Sequence, residues 1–278
     1  MKKFLTFLLF LIPAFLVTRA QKHSLVQLWS TDAIVNTPES VLPDLKNNLL
    51  DVSLIDGGPW DVDGKGGIGH MTTAGTHYDS LWITGLNAPK GLGMYKDKMY
   101  AADISEVVVG DIPKGRLIRK IPIEGASGLN DITVTDKGVV FVSDSKTGRI
   151  WKLENEKPIL YLENVTGANG LKAVKDGLVY AKGPGLMIAD DKKQIRQIAD
   201  IGHDIDGIDP IGNGDYLATS WVGYIYYVYA NGQTELLLDT HSEKKNTADI
   251  GYDPVKKIVY VPTFFDKRIV AYQLTTKN

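Results

Sequence analysis

The 278-residue chain has no cysteine. This absence excludes disulfide bonds, thiol nucleophiles and metal sites with cysteine ligands, but it does not identify the cellular compartment. It also excludes a lipid anchor attached to an N-terminal cysteine. A chain of this length can bury a large core and does not need such cross-links to fold.

Long apolar runs are also missing, except at the N-terminus. Lys2 and Lys3 precede an apolar run from residue 4 to residue 17, and Ala20 offers a small residue before a cleavage point. We expect residues 1–20 to be a secretory signal peptide. The run is shorter than the roughly 20 residues of a membrane span. A retained N-terminal anchor is the alternative, but we expect an exported protein, periplasmic or secreted, without a stable membrane anchor.

Strong net charge is absent as well. Cleavage after Ala20 removes three basic and no acidic residues, which changes the formal net charge from −2 to −5. A mildly acidic chain is not an obvious nucleic-acid binder. The sequence contains no G-x-x-x-x-G-K-[ST] motif, no G-x-S-x-G motif and no histidine pair with metal-ligand spacing. A small-molecule ligand is therefore expected, and the sequence identifies no protein partner.

What the sequence does contain is a succession of short apolar runs separated by Gly, Asp, Asn and Lys turns. Examples are "KMYAADI" (98–104), "VVFVSDS" (139–145) and "RIVAYQL" (268–274). No long segment has helical periodicity. This pattern predicts an all-β repeat in which residues 21–278 form a single domain.

A polar residue precedes an apolar strand at six places, and these places set the repeat. The six residues are Glu39, Lys90, Asn130, Asn169, Asp206 and Asp249, at intervals of 51, 40, 39, 37 and 43 residues. The first interval is long because a Gly/Asp-rich segment (56–67), which includes Trp60, is inserted. A period near 40 residues with four strands per unit predicts a six-bladed β-propeller. The last unit has three evident strands, and we expect residues 24–32 to add the fourth and close the ring.

The innermost strands of a propeller line its channel, so the six polar residues would converge at one mouth. Carboxylate and amide oxygens are the ligands that hard divalent cations prefer. Taken singly, each residue is better explained as a turn or capping residue bonded to nearby backbone. That explanation is weaker for all six together, because it does not require the side chains to point the same way. Asp131 points to the opposite face from Asn130, so we expect it to satisfy backbone groups between blades.

The short motifs "PES", "LND", "NGL" and "DGI" at these blade starts resemble the gluconolactonase/regucalcin (senescence marker protein) family of six-bladed propellers. The resemblance implies one divalent cation in the channel mouth, Ca²⁺ first and Zn²⁺, Mg²⁺ or Mn²⁺ as alternatives. Its ligands would be Glu39, Asn169 and Asp206, with Asn130 beside the metal and the substrate. Asp206 would also be the general base that opens a lactone.

Three positions depart from that family. Gly128 stands where some members carry a substrate-binding arginine. Lys90 stands where relatives commonly have a small or neutral residue, and so does Asp249. Lys90 could bind an anionic group of the substrate, or it could pair with Asp206 or Asp249 and weaken metal binding. Two hypotheses stay open: a metal-dependent lactonase or esterase that uses Asp206, Asn130 and Lys90, and a non-catalytic propeller that binds a ligand or a protein at the same mouth.

Overall fold

The computed structural model describes residues 21–277. These residues form 24 β-strands and two short 3₁₀ turns, and none of them is in an α-helix. The predicted signal peptide, residues 1–20, lies outside the described residues. The strands form six antiparallel sheets of four strands each. In the part of the chain that the structure describes, no helix is long or apolar enough to cross a membrane.

Each sheet is one blade, and its strands follow one another along the chain. Blade 1 consists of β2 (Pro38–Asp44), β3 (Leu49–Leu54), β4 (Gly66–Thr72) and β5 (Asp79–Leu86). Blade 2 consists of β6 (Pro89–Tyr95), β7 (Lys98–Asp103), β8 (Glu106–Asp111) and β9 (Arg116–Pro122). Blade 3 consists of β10 (Leu129–Val134), β11 (Val140–Asp144), β12 (Arg149–Glu154) and β13 (Lys157–Leu162). Blade 4 consists of β14 (Ala168–Val174), β15 (Gly177–Lys182), β16 (Gly185–Ala189) and β17 (Ile195–Asp200). Blade 5 consists of β18 (Ile208–Gly212), β19 (Asp215–Ser220), β20 (Tyr224–Val228) and β21 (Thr234–Asp239). Blade 6 consists of β22 (Gly251–Asp253), β23 (Ile258–Pro262), β24 (Ile269–Thr276) and β1 (His23–Ser30).

The blades are arranged in a closed ring. The first strands of the six repeats contact one another in chain order, and β22 contacts β2 to complete the circle. The N-terminal strand β1 pairs antiparallel with the C-terminal strand β24 and forms the outer edge of blade 6. The predicted six-bladed propeller, with four-stranded blades and a ring closed by the N-terminal strand, is therefore confirmed.

A histidine at the start of β1 also attaches the closing strand to blade 5. The backbone N–H of His23 donates to Glu235 Oε1 at 2.8 Å, and Nδ1 of its ring lies 3.0 Å from Glu235 Oε2. The ring stacks on Tyr227 at a centroid distance of 3.9 Å. The junction of the two chain ends is thus fixed by side chains as well as by strand pairing.

The hydrophobic core is divided among the six interfaces between neighbouring blades. In β11, Val140 and Val142 pack toward blade 2, whereas Phe141 between them packs toward blade 4. Alternate side chains of a strand point to opposite faces, and both faces of each central strand are covered by a neighbouring blade. This explains why the sequence shows continuous apolar runs rather than strict alternation.

Candidate active site at the channel mouth

The six polar residues occupy equivalent places at the start of the innermost strands. Four of them are the second residue of their strand: Glu39, Lys90, Asn130 and Asn169. Asp206 and Asp249 lie two residues before β18 and β22. The structure thus brings all six to one end of the channel, as the repeat predicts.

An irregularity in strand pairing turns these side chains toward the channel. In blades 1 to 4 the register of the first strand pair shifts at the polar residue and its successor. Such a bulge re-aims a side chain and leaves a backbone N–H without its ladder partner. A hydroxyl of the second strand accepts that hydrogen bond in blades 1 and 3: Ser53 from Ser40 N at 2.8 Å and Ser143 from Asp131 N at 2.9 Å. In blade 5, Thr219 Oγ1 accepts from Gly207 N, just after Asp206, at 2.7 Å.

Glycine follows the polar residue in blades 2, 4 and 5, where the neighbouring blade lies close. A Cβ atom on Gly91 would collide with the side chain of Asp131, and one on Gly170 with the carbonyl of Asp206. A Cβ atom on Gly207 would lie 2.7 Å from Asp249 Oδ1. These glycines therefore allow the ring to close tightly around the channel.

Asp131 has the structural role expected from its direction. Its Oδ1 accepts from the N–H of Ile132 at 2.6 Å, and its Oδ2 accepts from the N–H of Leu171 in blade 4 at 2.5 Å. Burial and the charge of Asp249 raise the pKa of Asp131, while the two backbone donors lower it. The prediction that Asp131 satisfies backbone groups between blades is confirmed.

Two carboxylates at the mouth are buried without full hydrogen bonding. Glu39 and Asp206 are each 4% exposed, and within residues 21–277 neither Glu39 Oε2 nor Asp206 Oδ2 has a hydrogen-bond partner. Asn169 Nδ2 donates to the other oxygen of Asp206, Oδ1, at 2.5 Å. This contact fixes the carboxylate and leaves its second oxygen free.

The electrostatics of the mouth disfavour three ionised carboxylates. Burial raises the pKa of Glu39 well above its usual value, and the charges of Asp206 and Asp249 add to this, although Lys90 lowers it. Burial raises the pKa of Asp206 to about 6, against the lowering effects of Asn169 and Lys90. Burial also raises the pKa of Asp249 to about 7, although its Oδ2 accepts from Ser40 Oγ at 2.6 Å. A bound cation would relieve this repulsion.

Lys90 is buried near these carboxylates but does not pair directly with them. Its Nζ donates to the carbonyl of Pro59 at 2.7 Å and lies 4.4 Å from the centroid of the Trp60 ring. Within the described range 21–277, no carboxylate oxygen lies within 4.0 Å of this nitrogen. Burial lowers the pKa of Lys90, and the charges of Glu39 and Asp206 oppose that effect. The direct pairing with Asp206 or Asp249 that the sequence left open is not formed.

Asn130 is held by a residue that the sequence did not single out. Its Nδ2 donates to Ser145 Oγ at 3.0 Å, and Ser145 Oγ donates to the carbonyl of Ala168 at 2.6 Å. With its amide nitrogen engaged, Asn130 can present its Oδ1 to a ligand. The polar motif "SDS" (143–145) at the end of the second strand was the only indication of Ser145 in the sequence. Whether Ser145 faces Asn130 depends on the conformation of the hairpin that follows.

An aromatic cluster lies on the same face. The sequence left Phe264 and Phe265 open as either core residues or a lid over the pocket, and it did not single out Trp221. Trp221, in the hairpin after β19, lies 5.5 Å from the ring of Phe264 and 5.8 Å from that of Phe265. Phe264 starts the 3₁₀ turn Phe264–Asp266, which contacts β2, and its φ of 45° is unusual for a bulky residue. Trp221 is 39% and Phe265 60% exposed. The cluster therefore offers an apolar wall to a ligand.

The donor set fits a hard cation. Glu39 and Asp206 supply free carboxylate oxygens, and Asn169 and Asn130 have amide oxygens without an assigned donor in residues 21–277. Nowhere in that range are three or more His, Cys, Asp or Glu side chains grouped to hold a metal. A cation here would consequently rely on two carboxylates and on amide oxygens, which suits Ca²⁺ chemistry.

Known proteins resemble this chain in structure but not in sequence. No family model and no curated protein sequence matches the chain. A protein assigned as a gluconolactonase superposes with a TM-score of 0.68 over 96% of this chain and 95% of its own, at 12% identity. The chain has the six-bladed propeller fold. The resemblance to the gluconolactonase/regucalcin type is confirmed at that level.

Lyases have similar structures. Streptogramin B lyase has a TM-score of 0.63 over 92% of this chain and 97% of its own, at 10% identity. A catalytically inactive virginiamycin B lyase from Staphylococcus aureus, solved with quinupristin, has a TM-score of 0.58 over 91% of this chain and 99% of its own, at 15% identity. A chain of the nidogen/laminin complex has a TM-score of 0.60 over 77% of this chain and 95% of its own, at 12% identity. At these identities the likenesses show the fold alone.

Proposed function

We propose that this chain is an exported, divalent-metal-dependent hydrolase that opens a small sugar-derived lactone or ester at the channel mouth. The observation that carries the proposal is the pair of buried carboxylate oxygens without partners, Glu39 Oε2 and Asp206 Oδ2. An unpaired buried carboxylate is costly. Its presence on two different blades, at the mouth of the same channel, is best explained by a cation that binds there.

The metal would be held by Glu39, Asn169 and Asp206, with Asn130 beside it. Ca²⁺ is the first choice, and Zn²⁺, Mg²⁺ and Mn²⁺ are alternatives. When bound, such an ion polarises a substrate carbonyl and lowers the pKa of a water molecule. This is the chemistry that hydrolysis of a lactone requires.

The side chains of the mouth supply the remaining functions. Asp206 would accept the proton of the attacking water and return it to the alkoxide that leaves when the ring opens, and Asn169, which donates to Oδ1, keeps the carboxylate oriented for both transfers. Asn130, held by Ser145, would orient the substrate or the water. Lys90 would attract the carboxylate that forms when the lactone opens. Trp221 and Phe265 would exclude water from one side of the substrate.

Hydrolysis of a panel of sugar lactones and short esters tests the proposal. We expect wild-type protein to turn over at least one compound, EDTA to abolish the activity, and added Ca²⁺ to restore it. Asp206→Asn should be inactive. The matched control is Asp204→Asn, which changes an exposed carboxylate two residues away, and it should keep full activity. Absence of turnover across the panel would contradict the proposal.

A non-catalytic binding propeller is the second candidate. The exposed aromatic surface of Trp221 and Phe265 favours it, and so does the structural likeness to a chain of the nidogen/laminin complex. A protein that binds a divalent ion but hydrolyses nothing in the panel would support this function.

A further inference from the structure

Two lysines from different blades converge on one indole ring at the mouth. Lys90 Nζ lies 4.4 Å from the centroid of the Trp60 ring, and Lys146 Nζ lies 4.3 Å from it. The two nitrogens are therefore at most about 9 Å apart. In residues 21–277 neither ammonium group has a carboxylate oxygen within 4.0 Å.

The position of Lys146 is set by its hairpin and by a glycine beneath it. Asp144 Oδ1 accepts from the N–H of Lys146 at 3.2 Å and from that of Thr147 at 3.0 Å, which fixes the turn. The aliphatic part of Lys146 lies directly on Gly128, where an added Cβ atom would be 2.5 Å from Lys146 Cγ. Since any larger residue at 128 would displace it, the glycine guides the lysine toward the mouth.

Trp60 comes from the inserted loop between β3 and β4 and lies over Lys90. The neighbouring Pro59 carbonyl accepts the hydrogen bond from Lys90 Nζ, and Lys90 is only 3% exposed. Lys146, in contrast, is exposed. The two lysines thus form one buried and one accessible positive charge at the same ring.

The two charges repel each other, and neither forms an ion pair within residues 21–277, although the charges of Glu39 and Asp206 act on Lys90. Cation–π contacts with the indole stabilise both, but they do not neutralise them. Glu39, Asp206 and Asp249 belong to the same mouth, and their charges disfavour a doubly charged anion. A singly charged carboxylate matches this arrangement better than a phosphate because it is repelled less by these three residues.

We infer that Lys90, Lys146 and Trp60 form a subsite for a carboxylate group, so that the ligand of the mouth is a small molecule that carries an acid. This inference rests on the proposed function for the location of the ligand, but not on turnover. Lys146 would make a charge-assisted contact with the carboxylate, and it would distinguish acidic from neutral ligands.

Two probes that differ only at one end can test the subsite. D-Gluconate carries a carboxylate where sorbitol carries a CH₂OH group. We expect gluconate to bind the purified protein in a calorimetric titration, and sorbitol to bind at least about tenfold more weakly. Gluconate should change the tryptophan fluorescence of wild type, and this change should disappear in Trp60→Phe. Affinity should fall as NaCl is added.

Charge-neutral variants assign the effect to Lys146. Lys146→Gln should weaken gluconate binding about tenfold without affecting sorbitol. The control is Lys137→Gln, which removes an exposed lysine of the same blade in the turn between β10 and β11, and it should bind gluconate as wild type does.

Several results would overturn the subsite. They are no detectable gluconate binding, equal binding of gluconate and sorbitol, equal affinities of Lys146→Gln and Lys137→Gln, or tighter binding of inorganic phosphate than of gluconate. The titrations need no catalysis, so these failures leave the hydrolase proposal intact. Conversely, retained gluconate binding in a protein that hydrolyses no lactone would refute the hydrolase and keep the subsite.

Discussion

Buried carboxylates occur in two regions of this propeller, and their hydrogen bonding differs. Between blades 3 and 4, Asp131 uses both oxygens to accept backbone N–H groups, from Ile132 and Leu171. At the channel mouth, Glu39 and Asp206 are equally buried but each keeps one oxygen without a partner. Burial therefore does not separate the two regions, whereas hydrogen bonding does, and the proposed function takes the unsatisfied oxygens at the shared opening as the mark of the functional acids.

Asp103 belongs with the structural group. It is fully buried, and its two oxygens accept from the N–H groups of Asn87 and Ala88, both at 2.9 Å. Its carboxylate thereby ties the segment that enters blade 2 to the end of β7. We therefore expect replacements in this group to affect folding, and replacements in the mouth group to affect binding and catalysis.

The largest effect should come from the mouth. Asp206→Asn should lower lactone turnover at least about thousandfold, because it removes both a metal ligand and the proposed base. Its metal-free form should be no less stable than wild type, since a buried charge is removed. Steady-state kinetics and urea unfolding in EDTA measure the two quantities. A variant that loses stability along with activity would place Asp206 in the structural group.

The structural group should show the opposite behaviour. Asp131→Asn puts an amide NH₂ group against one of two backbone N–H donors, and we expect a loss of about 3 kcal/mol in the free energy of unfolding. Urea denaturation measures this loss. Asp136→Asn, which alters an exposed residue in the next turn, should change stability by less than about 0.5 kcal/mol.

Asp51 is a buried carboxylate that lies outside both regions. It is 3% exposed, and burial together with the charge of Asp44 raises its pKa to about 7. The folded protein therefore holds a proton that the unfolded chain releases above the usual aspartate pKa. The contribution of Asp51 to the free energy of unfolding is therefore fully present at low pH, and it is lost as the pH rises toward and through 7.

Asp51→Asn should remove this pH dependence. We expect the variant to be about 2 kcal/mol more stable than wild type at pH 8 and equal to it near pH 4. Unfolding by urea at a series of pH values measures the difference. A constant difference between the two proteins across the series would show that Asp51 is ionised throughout.

The smallest effect concerns the support of Asn130. Ser145→Ala removes the acceptor of the Asn130 side chain and the donor to the Ala168 carbonyl. We expect lactone turnover to fall about fivefold and stability by about 1 kcal/mol. Ser105→Ala, in the corresponding hairpin of blade 2, should leave the kinetics unchanged.

The ring of six polar residues and the closure by β1 could be predicted because both follow from the repeat. The role of Asp131 could be predicted because strand side chains alternate. Ser145, Lys146 and Trp221 could not, since each lies in a hairpin whose direction depends on contacts with the next blade. The glycines after Lys90, Asn169 and Asp206 were visible in the sequence, but their reason, close approach of neighbouring blades, needs coordinates.

Calorimetric titration of chelator-treated protein with Ca²⁺ tests the central claim most directly. If the free oxygens of Glu39 and Asp206 form a cation site, wild type should bind one ion per chain, and Glu39→Gln and Asp206→Asn should each bind at least about a hundredfold more weakly, while Asp204→Asn binds normally. The same titration with Mg²⁺, Mn²⁺ and Zn²⁺ would rank the metals. Wild-type protein that binds none of these ions, or an Asp206→Asn variant that binds as wild type does, would contradict the claim.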